Sequence, residues 1–306
     1  MNRKLVSFDW AIKKLLRSKA NFGILEGFLS ELLNTDITIL QVLESESNQE
    51  YEQDKYNRVD VKVKNSAGEI IIIEVQYNRE YDFLQRICYG VSKDIVEYMQ
   101  QGMAYSEVSK VISISILYFN LGLGEDYIYK GETNFTGIHL HDQLQLNDKQ
   151  KDTFQKQHVA EIFPEYYLIK VNKFDDVAKN SLDQWIYFLK HAEVKENFHA
   201  KGIDEAKQKL DVMQLDDKQR AAYNAYQEDL HYQASMFDSS YGDGKKDGIK
   251  VGIVEGKKAG IVEGATQKAL QTAGKMLSKG YEIKEVADLT GLELEQIEAL
   301  SKASKS

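Results

Sequence analysis

Two neighbouring stretches in the first third of the chain have the hydrophobic patterns of β-strands. In residues 58–64, valines alternate with charged residues, which is the period-two pattern of a strand with one buried face. Residues 70–75 form a β-branched run that only Glu74 interrupts, the pattern of a strand covered on both faces. The short polar segment 65–68 between them predicts a tight β-hairpin.

The length of the hairpin loop decides which side chains share a face of the sheet. A three-residue loop that ends at Gly68 sets Asp60 directly opposite Glu74, with their Cβ atoms roughly 4.5–5.5 Å apart. A four-residue loop pairs Asp60 with Ile73 instead and turns Glu74 to the other face. We predict the three-residue loop, in which Gly68 supplies the left-handed conformation that such a loop favours. On that register Gln76 lies on the same face as Glu74.

Two carboxylates held this close on buried strands repel each other and lose their hydration. A hard divalent cation that prefers oxygen ligands offsets both effects, so the pair of Asp60 and Glu74 indicates a site for Mg²⁺ or Mn²⁺. The spacing alone is equally compatible with a solvated Glu74 near the end of its strand.

The remaining hydrophobic periodicities predict helices and strands in alternation, which indicates an α/β fold with a mixed sheet flanked by helices. The polar segment 44–57 is expected to be an exposed loop. Helical spacing covers residues 8–16, 22–33, 81–101 and a segment that starts at Ser181. Strand patterns cover residues 37–43, 110–120, 127–140 and 166–173.

The C-terminal part of the chain departs from these patterns. Residues 196–240 are charged and helix-prone, and we expect a helical connector there. In residues 241–266 glycines recur every four positions, from Gly244 to Gly264. Each interior glycine costs a helix about 1 kcal/mol relative to alanine, but glycines at this spacing also let two helices approach closely. A flexible linker and a self-associating helix both fit, and the second predicts a homo-oligomer through this tail.

Residues 267–306 have the pattern of helix, helix, turn and helix, which resembles a helix-turn-helix unit. The last of these helices carries Glu293, Glu295 and Glu298, the wrong charge for a phosphate-lined groove. We therefore expect this small module to contact protein rather than to read DNA.

Composition and charge narrow the function classes. The 306 residues include one cysteine and no apolar run long enough to span a membrane, which predicts a soluble cytoplasmic protein. The net charge of −9 is unfavourable for nucleic-acid binding by the chain as a whole. Residues 1–22, however, contain six Lys and Arg residues against a single Asp, so a local basic surface is expected there.

The hairpin residues resemble a known nuclease signature. Asp60 followed by Glu74, Val75 and Gln76 is similar to the signature of the PD-(D/E)XK nuclease superfamily, in the branch where Gln replaces Lys. No proline precedes Asp60, because Val59 stands there. Together with residues 9–13 (DWAIK), 24–29 (ILEGFL), 83–92 (FLQRICYGVS) and the glycine-rich tail, the ordered set resembles the Rpn family of recombination-promoting nucleases and putative transposases.

The resemblance implies a restriction-endonuclease-like domain over residues 1–195 and hydrolysis of DNA in a Mg²⁺-dependent reaction linked to recombination or transposition. Asp60, Glu74 and the carbonyl of Val75 would bind the metal. Gln76 would hold a water molecule without supplying a positive charge. Glu26 would join the site, because an acidic residue on the first core helix often does so in this superfamily.

Three basic residues are the candidates for contacts to DNA. Lys13 and Arg17 belong to the basic N-terminal segment, and Arg86 projects from the predicted helix after the hairpin. The neutral Gln76 and the acidic net charge leave an alternative, in which the chain is a catalytically weak or inactive nuclease fold that serves as an oligomeric DNA- or protein-binding scaffold.

Overall fold

The computed structural model describes residues 5–43, 60–99 and 103–303. The chain divides into two compact units, Met1–Glu228 and Asp229–Ser306. The loop predicted over residues 44–57 lies outside the described residues.

The first unit contains a six-stranded mixed sheet with the strand order β1-β2-β3-β4-β6-β5. Strands β3, β4 and β6 are parallel, whereas β1–β2, β2–β3 and β5–β6 are antiparallel pairs. The central position of β3 and β4 accounts for their nearly unbroken apolar sequences, since both of their faces are covered. The strands are β1 Ile39–Leu43, β2 Val61–Asn65, β3 Ile70–Gln76, β4 Val111–Leu117, β5 Ile128–Gly131 and β6 Glu165–Lys170.

Helices cover both faces of this sheet, as the α/β prediction requires. The helices of the first unit are α1 Phe8–Lys14, α2 Phe22–Leu33, α3 Phe83–Tyr98, α4 Asp148–Phe154, α5 Ser181–His191, α6 Ile203–Lys209 and the start of α7 Asp217–Ser278. Short 3₁₀ helices cover Lys19–Asn21, Tyr105–Glu107, Val159–Ile162, Val171–Lys173 and Val212–Gln214. The restriction-endonuclease-like fold class is therefore confirmed.

The two faces of β3 pack against different helices. Ile71 and Ile73 belong to the main core, which includes α1, α2 and α5. Ile70 and Ile72 point the other way and pack with Val91 of α3. Because side chains alternate along a strand, Glu74 and Gln76 follow on the α3 face.

Two predicted strands are shorter than the sequence pattern indicated. The strand expected over residues 127–140 is limited to β5, because the chain then turns back on itself. In that turn Gly137 N–H donates to the Asp142 carbonyl at 2.8 Å, and His141 has φ = 56°. The strand expected over 166–173 ends at Lys170, and a 3₁₀ turn follows.

The segment after residue 195 belongs to the core of the first unit. Phe198, Ile203 and Leu210 are buried among the side chains of α1, α2 and α5. A Cβ atom added to Gly27 of α2 would lie 2.2 Å from the Lys201 carbonyl oxygen, which shows how closely the two backbones approach. The first unit consequently ends at Glu228 and not at the predicted 195. Isolated apolar positions among charged residues gave this segment the appearance of a connector.

The second unit contains the rest of α7, followed by α8 Ile283–Thr290 and α9 Leu294–Ala303. A turn at Gly291, with φ = 69°, ends α8. The core of this unit consists of Ala273, Val286, Leu292 and Ile297. No helix within residues 5–43, 60–99 and 103–303 has both the length and the hydropathy of a membrane span.

Candidate active site

The β2–β3 hairpin has the predicted register. Val61 pairs with Ile73, and the pairing continues to the turn, where Asn65 N–H donates to the Glu69 carbonyl at 3.1 Å. Gly68 has φ = 80°, the left-handed conformation that the three-residue loop requires. The prediction of the three-residue loop is therefore confirmed.

The ladder between the two strands stops one residue short of Asp60. The amide of Asp60 donates to the Ile73 carbonyl at 3.1 Å, and its carboxylate Oδ2 accepts the Val75 N–H at 2.6 Å. The Asp60 carboxylate thus accepts a β3 N–H that would pair with a backbone carbonyl if the ladder continued. Because the N–H and C=O of a strand residue point to the same side, the Val75 carbonyl faces the side of Asp60.

Two basic residues near the N-terminus, Lys13 and Arg17, also contact Asp60. Lys13, at the end of α1, has its Nζ atom 3.2 Å from Asp60 Oδ1. Arg17, in the turn after α1, donates from Nη2 to the Asp60 carbonyl at 2.8 Å. The structure thus places both predicted DNA-contacting residues next to a predicted catalytic carboxylate.

Arg86, the third residue predicted to contact DNA, forms an ion pair with the carboxylate of Glu74. Its Nη1 atom is 2.6 Å from Glu74 Oε1, and its Nε atom is 2.8 Å from Glu80 Oε2. Helix α3 begins at Phe83, so its first turn carries Arg86 over the end of β3. The Arg86 side chain is only 23% exposed.

Glu80 is a site residue that sequence reasoning missed. Its Oε1 atom accepts a hydrogen bond from Gln76 Nε2 at 2.8 Å, and the same nitrogen is 3.2 Å from the Asn78 carbonyl oxygen. Glu80 therefore joins Gln76 to Arg86. Its position in the loop directly after β3 was the available signal, since residues that follow a central strand collect at one edge of the sheet.

The two carboxylates titrate abnormally in the metal-free site. Burial raises the pKa of Glu74 to about 7; the Arg86 guanidinium lowers it, and the charges of Asp60 and Glu80 raise it. Burial also raises the pKa of Asp60, against the opposing effects of the Lys13 ammonium and the Val75 N–H. Without a cation, both carboxylates therefore bind a proton more readily than ordinary carboxylates do.

Asp9 is another acidic residue near the site that sequence reasoning missed. It is fully buried, and its Oδ2 atom accepts a hydrogen bond from the Tyr226 hydroxyl. Its Oδ1 atom has no hydrogen-bond partner in the part of the chain that the structure describes. Asp9 lies near enough to Asp60 for its charge to contribute to the raised pKa of Asp60. The segment 9–13 was part of the resemblance, but one acidic residue on a helix with apolar and basic residues gave no indication that Asp9 lies near Asp60.

Glu26 has a different position from the one expected. Its Oε1 atom accepts the Ile39 N–H at 2.7 Å, at the start of β1. Among the described contacts, this carboxylate anchors a strand and does not join the ion pairs of Asp60 and Glu74. Metal binding by Asp60, Glu74 and the Val75 carbonyl stays a prediction.

These three groups are hard oxygen donors, and they suit Mg²⁺ or Mn²⁺. Burial and mutual repulsion of the two carboxylates also match a site that a divalent cation would neutralise. No group of three or more His, Cys, Asp or Glu side chains suited to a metal occurs in the described ranges 5–43, 60–99 and 103–303. The Val75 carbonyl therefore remains the predicted third protein ligand.

A comparison with protein families decides the class to which this arrangement belongs. A family model described as PD-(D/E)XK nuclease family transposase matches residues 6–240. The chain belongs to this family. The matched region includes all six strands and extends beyond Glu228, so the segment after residue 195 is part of the PD-(D/E)XK transposase domain. No curated protein and no solved structure matches the chain.

Proposed function

We propose that this PD-(D/E)XK family transposase cleaves DNA phosphodiester bonds in a reaction that depends on Mg²⁺ or Mn²⁺, in the cytoplasm and in the service of recombination or transposition. The observation that supports this most is the pair of the partly buried Asp60 and the buried Glu74 at the open end of the hairpin. Burial raises the pKa of both carboxylates, which is expected of carboxylates arranged for a cation.

The protein groups have separate tasks in this proposal. Asp60, Glu74 and the Val75 carbonyl would hold the cation, which when bound would supply activation of the attacking water and stabilisation of charge at the phosphate. Gln76 donates its amide hydrogens to Glu80 and Asn78, so its Oε1 atom is available to accept a hydrogen bond from the attacking water. Arg86 fixes the carboxylate of Glu74, and Arg17 fixes the backbone of Asp60.

Nicking of supercoiled plasmid tests the proposal. Wild-type protein with Mg²⁺ or Mn²⁺ is expected to nick, and EDTA is expected to stop the reaction. Asp60→Asn and Glu74→Gln keep the shape of the side chains, and each is expected to lower the rate at least about 100-fold. Glu69→Gln, at the other end of the same hairpin, is the control and should retain the wild-type rate. Equal rates in all four proteins would reject the site.

One observation favours a second function, that of a nuclease fold that binds DNA or protein without cutting. Arg86 and Lys13 already neutralise the two carboxylates, and Gln76 brings no charge. On this alternative, wild-type protein binds DNA in a gel-shift assay but does not nick plasmid with either metal. The same assay on Asp60→Asn would then show unchanged binding.

A further inference from the structure

Phosphodiester hydrolysis places additional negative charge on the reacting phosphate, and a cation beside that phosphate stabilises the transition state. The neutral amide of Gln76 cannot supply this charge. Its nitrogen is also engaged already, by Glu80 Oε1 and the Asn78 carbonyl oxygen. A basic side chain elsewhere at the site is therefore the candidate for a second positive charge beside that of the metal.

Arg86 is poorly suited to this task because two carboxylates hold it. Its guanidinium contacts Glu74 and Glu80 at 2.6 and 2.8 Å and lies 5.0 Å from the centroid of the Phe83 ring. To reach a phosphate, the guanidinium would have to break its ion pairs with both carboxylates.

Lys13 has the opposite properties. Its ammonium is attached to a flexible stem, its side chain is 38% exposed, and its contact with Asp60 Oδ1 is a single ion pair of 3.2 Å. A phosphate that approaches Asp60 from solvent would therefore meet the Lys13 ammonium. Contact between Lys13 and that phosphate would require only a rotation of the stem.

We propose that Lys13 is a catalytic residue, whose ammonium contacts the scissile phosphate beside Asp60 and stabilises the charge that develops there. This inference rests on the proposed nuclease function. It goes beyond general attraction of the DNA backbone by a basic segment, because it assigns Lys13 to the transition state.

The surroundings of α1 hold Lys13 in this position. Asp9 lies one helical turn before Lys13 and is fixed by the Tyr226 hydroxyl, while the Lys13 ammonium lies 5.7 Å from the centroid of the Tyr226 ring. The backbone of residue 6 is fixed as well, since Val6 N–H donates to the Leu210 carbonyl at 2.8 Å. Helix α1 is thus anchored to residues 210 and 226.

The test compares three full-length variants in single-turnover nicking with Mg²⁺ at saturating enzyme. Lys13→Met removes the charge and keeps the length of the stem, and it is expected to lower the rate about 100-fold. Lys13→Arg keeps a charge and is expected to be at least about tenfold faster than Lys13→Met. Lys14→Met makes the same change at the exposed neighbouring position and is expected to stay within about twofold of wild type.

Measurements of DNA binding and stability distinguish a catalytic role of Lys13 from a loss of DNA affinity or of folding. The DNA affinity and the melting temperature of Lys13→Met are expected to stay close to those of wild type. The inference is overturned if the rate at saturating enzyme is unchanged, if only DNA affinity falls, or if Lys13→Arg is as slow as Lys13→Met. A wild-type protein that nicks nothing would instead overturn the nuclease function, and the assignment of Lys13 would fall with it.

Discussion

The raised pKa of Glu74 links metal binding to pH at the scale of a single residue. A cation must displace the proton that Glu74 holds in the metal-free protein, and that proton has a pKa of about 7. We therefore expect the apparent affinity for Mn²⁺ to be about tenfold weaker at pH 6 than at pH 8, and to level off above that. Calorimetric titration at several pH values measures this. Glu69→Gln should reproduce the wild-type profile, whereas a profile without pH dependence would contradict the coupling to Glu74.

The same residue predicts how stability depends on pH in EDTA. Because the pKa of Glu74 is about 7 when folded, above the ordinary value of 4.5, its contribution to stability is fully present below pH 4.5. That contribution is lost as pH rises towards and through 7. Glu74→Gln cannot ionise, so its free energy of unfolding relative to wild type should increase by about 2 kcal/mol between pH 5 and pH 8.

Urea unfolding of Glu74→Gln and wild type at the two pH values provides the measurement. A mutant that becomes relatively less stable at pH 8 would mean that the ion pair with Arg86 outweighs the effect of burial on Glu74. The contribution of Asp60 to stability is also expected to fall as pH rises, because burial raises the pKa of Asp60 too.

At the scale of elements, the contact between α2 and the segment before α6 predicts unequal effects of two similar substitutions. A Cβ atom on Gly27 would meet the backbone carbonyl of Lys201 at 2.2 Å, and neither backbone can move without disturbing the core. Gly27→Ala should therefore destabilise the first unit by about 1–3 kcal/mol.

Gly23, one turn earlier in α2, is the matched control. A Cβ atom there would meet the carboxylate end of the Glu205 side chain, which is flexible and can turn aside. Gly23→Ala should be neutral or slightly stabilising, since alanine favours helix over glycine. Thermal unfolding of both variants decides the comparison, and equal effects would contradict a backbone contact at Gly27.

Elements with strong local patterns were predictable from the sequence, and contacts between distant segments were not. The β2–β3 register followed from alternating valines and one glycine, because strand periodicity and loop length together fix pairing. Nothing local in residues 196–226 indicates that Phe198 and Tyr223 belong to the core, since their burial depends on α1 and α2. The role of Lys13 beside Asp60 was hidden for the same reason, as 47 positions separate the two residues in sequence.

At the scale of the whole molecule, the glycine row in α7 makes the oligomeric state testable. A Cβ atom added at Gly244, Gly252 or Gly260 would have no neighbour within 4 Å among residues 5–43, 60–99 and 103–303 of the same chain. Branched apolar side chains nearby, including Ile249, Ile253 and Ile261, are more than half exposed. We propose that two chains associate through this segment, which would also supply two active sites for a double-strand cut.

Light scattering on the full chain and on a chain shortened to residues 1–237 provides the measurement, with a dimer expected only for the first. Alanine at Gly248, Gly252 and Gly256 should weaken the dimer, because the helices could no longer approach closely. If these substitutions instead raise the melting temperature of a monomer, as helix propensity alone predicts, the glycines do not form an interface.

The anchoring of residues 6–9 by residues 210–226 also has a consequence during protein synthesis. Asp9 leaves the ribosome early, but the Tyr226 hydroxyl that holds it is made more than 200 residues later. At bacterial or eukaryotic elongation rates this interval lasts about 10–40 s. A nascent or truncated chain that lacks this segment therefore has Asp60 and Glu74 but no fixed α1 beside them. Incomplete polypeptides of a protein proposed to cut DNA would be unable to assemble its cutting site.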